Sequence, residues 1–193
     1  VNGKENIMYY DNKFLLGKSD QKSDIFDILI FARRNIENAV IPSFIKRISS
    51  YAFHYCIKLN RVFFEENSNL ISIGKSAFYS SNIERITIPS SIWLIEDYAF
   101  QFCINLQKVD FSEQPKSNLI HSNVVEIGMN AFCYCEELKE IDFSNLSKMI
   151  SIEKNTFPKS IEKINMPLDI IWPSYWPNFN IATYLDDISF IEK

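Results

Sequence analysis

The sequence has few glycines and few of the residues that usually perform catalysis. Only four of its 193 residues are glycine, and only two are histidine. Because glycine supplies most turns that need a positive φ angle, we expect few such turns, and connections built from Asn, Ser, Asp and Pro instead. His54 and His121 have no cysteine or carboxylate at a fixed spacing, so we interpret both as surface or turn residues.

Motifs for nucleotide, metal or hydrolase chemistry are also missing. The chain has no glycine-rich phosphate loop, no His-Glu-x-x-His motif and no Gly-x-Ser-x-Gly motif. Its carboxylates are scattered rather than paired, and Cys133 and Cys135 form a Cys-x-Cys pair without the second pair that a zinc site needs. We therefore predict that the chain is not an enzyme and needs no cofactor and no metal.

Charge and hydropathy exclude two further classes of partner. The net charge of −4 argues against nucleic acid, and no window contains the 18 or more apolar residues of a membrane span. The sequence starts at Val1 without the charged start and apolar core of a signal peptide. We interpret it as a piece of a longer chain, whose signal or anchor would lie outside this sequence.

One phrase occurs five times and organises the chain. Its template is I-x-x-x-A-F-x-x-C-x-x-L-x-x-V-x-F, and its central phenylalanines lie 25, 22, 32 and 25 residues apart. A period in this range is typical of repeat architectures. The five central residues are Phe53, Phe78, Phe100, Phe132 and Phe157.

The apolar positions of the phrase predict a solenoid of stacked coils. The L-x-x-I-x-F part alternates like a strand, and it is too short to bury a face unless it pairs in parallel with its neighbours. The phenylalanine would fill the coil interior, and the small Cys or Ser three residues later would lie where the chain turns back. Ile45 and Ile48, with their equivalents, predict a second very short strand on the opposite wall.

The A-F-x-x-C phrase, together with Ile41-Pro42 and Ile88-Pro89, resembles the BspA-like leucine-rich repeat, found in surface antigens of anaerobic bacteria and parasitic protists. The resemblance covers residues 36–166. It implies a leucine-rich-repeat solenoid, α/β and horseshoe-like, with short parallel strands and about five to six repeats. It also implies a non-catalytic protein-binding module of a larger cell-surface or secreted protein, with a host, neighbouring-cell or matrix protein as partner. The alternative is an intracellular protein-interaction scaffold in the cytoplasm.

Two segments lie outside the repeats. In residues 1–35, the runs 8–17 and 25–32 flank a polar loop and predict a β-hairpin that serves as a cap or spacer. Residues 167–193 contain an aromatic strip, Trp172 to Trp176, which is broken by proline and predicts a C-terminal cap or the start of a further segment. An exposed recognition strip is the alternative for these aromatic residues.

The cysteines are predicted to be buried free thiols. Cys56, Cys103 and Cys135 occupy the small position of the repeat, where size rather than a covalent bond is required. Cys103 and Cys135 belong to adjacent coils, so a disulfide between them is the alternative. The sequon Asn145-Leu146-Ser147 is compatible with secretion.

Two surfaces are candidates for binding a protein. One is the outward face of the strands, where stacking would align variable side chains into columns. It comprises Arg61, Phe63, Arg85, Thr87, Lys108, Asp110, Glu140, Asp142 and Lys163. The other is the insertion at residues 112–123, with the candidate residues Lys116, Asn118, Ile120 and His121. A solvated sheet with ordinary mixed charges and a neutral insertion are the respective alternatives.

Overall fold

The computed structural model describes residues 6–112, 124–145, 149–153 and 155–165. These residues form fourteen strands in two sheets, and they contain no helix. All strand pairings that follow the third strand are parallel. The predicted solenoid with short parallel strands is confirmed, but the side that carries helices in an α/β horseshoe consists here of turns.

An antiparallel unit opens the chain, with strands β1 (Ile7–Tyr10), β2 (Phe14–Gly17) and β3 (Ile28–Ala32). The predicted hairpin is confirmed between β2 and β3. Its first run is split into two strands by a three-residue connection, in which Lys13 N donates to Tyr10 O at 3.0 Å. Asp11 and Asn12 in this turn have positive φ angles of 47° and 50°. Since β3 pairs in parallel with the next strand of the sheet, this unit continues the solenoid.

Each coil contributes one strand to each of two parallel sheets. In the first sheet, β1 to β3 are followed by β5 (Arg47–Ile48), β7 (Ser72–Ile73), β9 (Leu94–Ile95), β11 (Val124–Ile127) and β13 (Met149–Ile152). The predicted short strand on the opposite wall is thereby confirmed. The second sheet contains β4 (Asn38–Ile41), β6 (Arg61–Phe64), β8 (Arg85–Ile88), β10 (Lys108–Phe111), β12 (Glu140–Asp142) and β14 (Lys163–Asn165).

The repeat phenylalanines form a continuous stack through the interior. Phe53, Phe78, Phe100 and Phe132 are all fully buried. Their ring centroids are 4.7, 5.0 and 5.1 Å apart from one coil to the next, and the rings are within 11° of parallel. At the N-terminal end, Phe14 of β2 meets Phe53 edge-on at 6.0 Å and closes the stack. One aromatic ring per coil therefore fills the space between the two sheets.

The third side of each coil is a turn wall, the segment from three residues before the repeat phenylalanine to three after it. In the first four turn walls, the residues two before and two after that phenylalanine have positive φ, for example 63° at Tyr51 and 55° at Tyr55. In the fifth, only the residue two before it does. No described glycine has a positive φ angle. The expectation of few positive-φ turns was therefore wrong. The other non-glycine residues with positive φ in the turn walls are Ser76, Ser80, Tyr98, Phe102, Asn130, Tyr134 and Asn155.

Hydrogen bonds between coils explain this backbone conformation. Tyr51 N, Phe53 N and Tyr55 N donate to carbonyl oxygens of the next coil at 3.0, 2.7 and 2.9 Å. The same three bonds recur from the second coil to the third and from the third to the fourth, and Phe132 N donates to Thr156 O of the fifth coil at 2.7 Å. A left-handed residue costs about 1–2 kcal/mol, and inter-coil bonds of roughly 1 kcal/mol each offset that cost. The turn wall is thus a third hydrogen-bonded side of the solenoid.

Candidate protein-binding face

The outward side chains of the second sheet form two straight columns, which we call the binding face. The parallel register places Arg61 beside Arg85, Arg85 beside Lys108, and Lys108 beside Glu140. Between them lie inward residues such as Val62 and Val109, which belong to the core. The first column contains Asn38, Arg61, Arg85, Lys108, Glu140 and Lys163, and the second contains Val40, Phe63, Thr87, Asp110, Asp142 and Asn165.

All nine predicted residues of the strand face lie in these columns. Their assignment to a binding site remains a prediction, whereas their outward orientation follows from the alternation of buried and exposed residues along each strand. Val40, which the sequence prediction did not include, extends the second column at its N-terminal end. It is 48% exposed and is paired in register with Phe63, which is 50% exposed.

Both lysines in the C-terminal half of the face form ion pairs with carboxylates of the same face. Lys108 Nζ lies 3.0 Å from Asp110 Oδ1, and Lys163 Nζ lies 3.2 Å from Glu140 Oε1. Asn165 Nδ2 also donates to Glu140 at 2.6 Å. The contact with Asp110 raises the pKa of Lys108, and the contacts with Lys163 and Asn165 lower the pKa of Glu140. Both lysines of this half are therefore held by carboxylates, and its third carboxylate, Asp142, accepts a hydrogen bond from Ser144 N at 2.8 Å.

The N-terminal half differs, because Arg61 and Arg85 form no ion pair with any residue that the structure describes. Both side chains are exposed, and the two residues face each other on adjacent parallel strands. Like charges in this arrangement repel each other and weaken a sheet slightly. Among the residues that the structure describes, one half of the face therefore has unpaired arginines beside exposed apolar side chains, and the other half has both of its lysines paired.

The second predicted site falls outside the described residues. Lys116, Asn118, Ile120 and His121 of the insertion belong to this group, as does the aromatic strip from Trp172 to Trp176. Both remain predictions. Of the glycosylation sequon, only Asn145 is described; its Nδ2 donates to the carbonyl oxygen of Phe111 at 2.9 Å.

An exposed aromatic surface was missed by the sequence reasoning. His54 stacks on Tyr79 with ring centroids 5.0 Å apart, and Phe102 stacks on Tyr134 at 4.6 Å. Tyr79 and Phe102 connect the two pairs at 5.4 Å, and Tyr55 packs against His54. We call these five residues the outer aromatic strip. The signal was present one and two residues after the repeat phenylalanine, at template positions that were treated as variable.

Acidic residues between the coils have structural partners. A cleft of about 370 Å³ is lined by Lys75, Glu96, Asp97 and Glu126, among others. Glu96 Oε2 accepts a hydrogen bond from Lys75 N at 2.9 Å, and Asp97 Oδ1 accepts one from Met129 N at 2.8 Å. Within the described ranges, no cluster of histidine, cysteine or carboxylate side chains could hold a metal ion. These carboxylates join one coil to the next.

The four cysteines are free thiols. Cys103 Sγ donates to the carbonyl oxygen of Phe78 at 3.0 Å, and Cys135 Sγ donates to that of Phe100 at 3.1 Å. Burial raises the pKa of Cys103 to about 12 and that of Cys135 well above its ordinary value. The small position of the repeat therefore supplies a weak hydrogen-bond donor to the preceding coil.

Stacked coils with the A-F-x-x-C phrase in their turn walls define a leucine-rich-repeat solenoid. The chain belongs to the BspA-type leucine-rich repeat family, because residues 27–120 and 116–192 match that repeat region in six copies. Among curated proteins, none matches the sequence. In the described part of the chain, no helix is long and apolar enough to cross a membrane.

Several solved structures are similar to this chain. A leucine-rich repeat protein from Eubacterium ventriosum is 18% identical, with a TM-score of 0.53 over 88% of this chain and 52% of its own. One from Bacteroides ovatus is 21% identical, with a TM-score of 0.48 over 85% and 45%. The pneumococcal vaccine antigen PcpA is 25% identical, with a TM-score of 0.47 over 76% and 30%. This chain thus spans about half the length of the first, whose likeness supports the fold alone.

Proposed function

We propose that this chain is a non-catalytic protein-binding module of a larger cell-surface protein, and that the binding face is its site. The observation that carries the proposal is the register of the second sheet, which aligns outward side chains in two columns while the core is built from other residues. Because these outward side chains are not part of the core, they are available to contact another protein. The partner is a protein on a host or neighbouring cell, or in the surrounding matrix.

Family membership supports both parts of this proposal. Leucine-rich repeats typically bind proteins, and the BspA-like resemblance implies a surface location. The competing location is intracellular, where the same face would serve a scaffold. Digestion of intact cells with an external protease separates the two locations: cleavage of the full-length protein supports the surface, whereas protection until lysis contradicts it.

The binding face is tested by reversing one charge at its centre. Surface proteins solubilised from candidate partner cells are passed over the immobilised chain, and a captured protein is purified for kinetic measurement. Arg85→Glu is expected to reduce the association rate about tenfold, because Arg85 lies between Arg61 and Lys108 and would attract an oppositely charged partner. The free energy of unfolding should change by less than about 0.5 kcal/mol, since the side chain is exposed.

Two further variants complete this experiment. Lys58→Glu changes the net charge equally but lies outside the binding face, and it should leave the association rate unchanged. Deletion of residues 114–121 removes most of the insertion and tests the competing loop. Loss of binding in the deletion alone would contradict the strand face. Intact binding in both Arg85→Glu and the deletion would make the aromatic strip from Trp172 to Trp176 the next candidate site.

A further inference from the structure

The N-terminal half of the binding face combines free cations with exposed apolar side chains. We define it by five residues: Val40, Arg61, Phe63, Arg85 and Thr87. Val40 and Phe63 are 48% and 50% exposed, although neither contributes to the core. Arg61 and Arg85 lie directly opposite each other without an ion pair to any described residue. The fold does not require arginine there, because Asn38 and Glu140 occupy the same column.

No acidic residue in the described part of the chain neutralises these two arginines. Glu37 and Glu84 precede strands of the second sheet, yet neither forms an ion pair with Arg61 or Arg85 in the described structure. Asp110 lies in the second column one strand further on, and it is held by Lys108 at 3.0 Å. Two adjacent guanidinium groups are therefore left to bind carboxylates from outside, for which their planar donor pairs are well suited.

We infer that this half of the face binds an acidic protein segment that carries a large apolar side chain, an inference that rests on the proposed function. Carboxylates would pair with Arg61 and Arg85, which are about 4.8 Å apart across the sheet. The apolar side chain would cover Val40 and Phe63, which lie about 7 Å from the arginine column. Arginines beside an aromatic anchor are typical of the residues that dominate protein interfaces.

Charge complementarity favours a protein over a sulfated polysaccharide. A long polyanion would need a continuous row of free cations, but the first column changes sign at Glu140 and the second contains Asp110 and Asp142. It would also leave Val40 and Phe63 without an apolar partner. A short acidic segment with one apolar anchor satisfies both features and ends before the acidic half of the face.

A designed peptide tests this partner class. The probe is a fluorescein-labelled peptide with one phenylalanine between two pairs of aspartates, measured by fluorescence anisotropy up to millimolar concentration. We expect binding that weakens with added salt, because exposed charges are screened. Replacing its aspartates by lysines should abolish binding, and replacing its phenylalanine by alanine should weaken it about tenfold.

Variants of the chain locate the site. Arg85→Ala and Phe63→Ser should each weaken peptide binding about tenfold. The matched control Lys58→Ala, at an exposed lysine outside the binding face, should leave it unchanged. Thermal melting confirms that each variant is folded. Tighter binding of a heparin oligosaccharide than of the peptide, or an equal loss of peptide binding in Lys58→Ala, would overturn the inference.

Failure of this inference can be separated from failure of the proposed function. If the acidic peptide does not bind, but a captured cell-surface protein associates more slowly with Arg85→Glu than with the parent chain, the inferred partner class is wrong. The binding face is then still supported as the site. If captured proteins are indifferent to Arg85→Glu and lose binding in the loop deletion, the face itself is rejected. In that case, peptide binding to this face would not report on the function of the chain.

Discussion

The repeat phenylalanine is the residue on which each coil depends most. Phe100 is fully buried and lies between Phe78 at 5.0 Å and Phe132 at 5.1 Å. Removing its ring would leave a cavity bounded by two parallel rings that are held in place by the turn walls. The surrounding coils cannot collapse into this space without breaking the inter-coil hydrogen bonds.

We therefore predict that Phe100→Ala lowers the free energy of unfolding by about 3–5 kcal/mol in urea titrations. Phe102→Ala is the matched control, because Phe102 is 37% exposed and packs on the outside of the same coil. It should cost about 1 kcal/mol, which is the size of a lost aromatic contact. Equal losses in both variants would contradict the role assigned to the inner stack.

Because of the buried thiols, the free energy of unfolding depends on pH in the alkaline range. Folded Cys103 remains protonated up to about pH 12, whereas the unfolded thiol ionises near pH 9.0. The folded pKa is the higher one, so this contribution to stability is complete below pH 9.0 and is lost as the pH rises toward 12. The residue of the second coil that is equivalent to Cys103 is the buried Ser81, so a hydroxyl group is compatible with this turn.

Cys103→Ser should therefore reduce the loss of stability above pH 9.0 by up to about 1.4 kcal/mol per pH unit. Urea unfolding at a series of alkaline pH values measures this slope. The difference between the variant and the parent chain isolates Cys103 from lysine and tyrosine ionisation. Cys133→Ser should have a smaller effect, because Cys133 is partly exposed. Parallel pH profiles for Cys103→Ser and the parent would contradict the prediction.

At the scale of elements, the turn wall needs a partner at its N-terminal edge. Each inner coil receives hydrogen bonds on its carbonyl oxygens from the preceding coil, but among the described residues no turn wall precedes that of the first coil. Ala32 N and Arg34 Nη1 donate to Ala52 O at 3.0 and 2.7 Å, and Arg34 Nη2 donates to Tyr51 O at 3.2 Å. Ala32 N and the guanidinium group of Arg34 thus take the place of a preceding turn wall.

Arg34→Ala is predicted to cost about 1–3 kcal/mol of unfolding free energy, because it removes donors from partly buried carbonyl groups. Arg34→Lys should recover only part of this loss, since an ammonium group lacks the planar pair of donors. Arg33→Ala, at an exposed neighbouring residue, should change stability by less than about 0.5 kcal/mol. Chemical denaturation of the three variants measures these differences. Equal effects at residues 33 and 34 would show that Arg34 is not a cap.

At the scale of the whole molecule, the proposed binding face is separate from the interactions that stabilise the solenoid. Each coil contacts its neighbours through two sheets and one turn wall, so stability accumulates along one axis. The side chains of the binding face take no part in the backbone hydrogen bonds of the two sheets and the turn wall. Charge reversals on that face should therefore alter association without unfolding the chain, while changes in the phenylalanine stack should do the opposite.

The insertion is separable from the solenoid for the same reason. Deletion of residues 114–121 shortens the connection from Phe111 to Val124 to the length found between the other coils. Strands β10 and β12 remain paired in register on either side of it, as do β9 and β11. We therefore expect the deletion variant to stay folded, which makes its use in the binding experiment valid.

The sequence by itself determined the coils and the orientation of their side chains. A phrase repeated at nearly constant spacing, with a period of two in its strands, specifies which residues face the core and which form columns outside. The positions of Arg61, Arg85 and Lys108 in one column followed from that pattern. The buried phenylalanines and small residues followed from it too, because only large apolar and small side chains recur at those positions.

Only the tertiary structure decided the backbone of the turn wall and the division of the binding face. Positive φ at Tyr55 and Phe102 is stabilised by hydrogen bonds to the next coil, so local propensity does not reveal it. The free state of Arg85 and the paired state of Lys108 likewise depend on which side chains reach one another. These contacts join residues on neighbouring coils or select one partner among several, and a one-dimensional pattern carries no information about such distances.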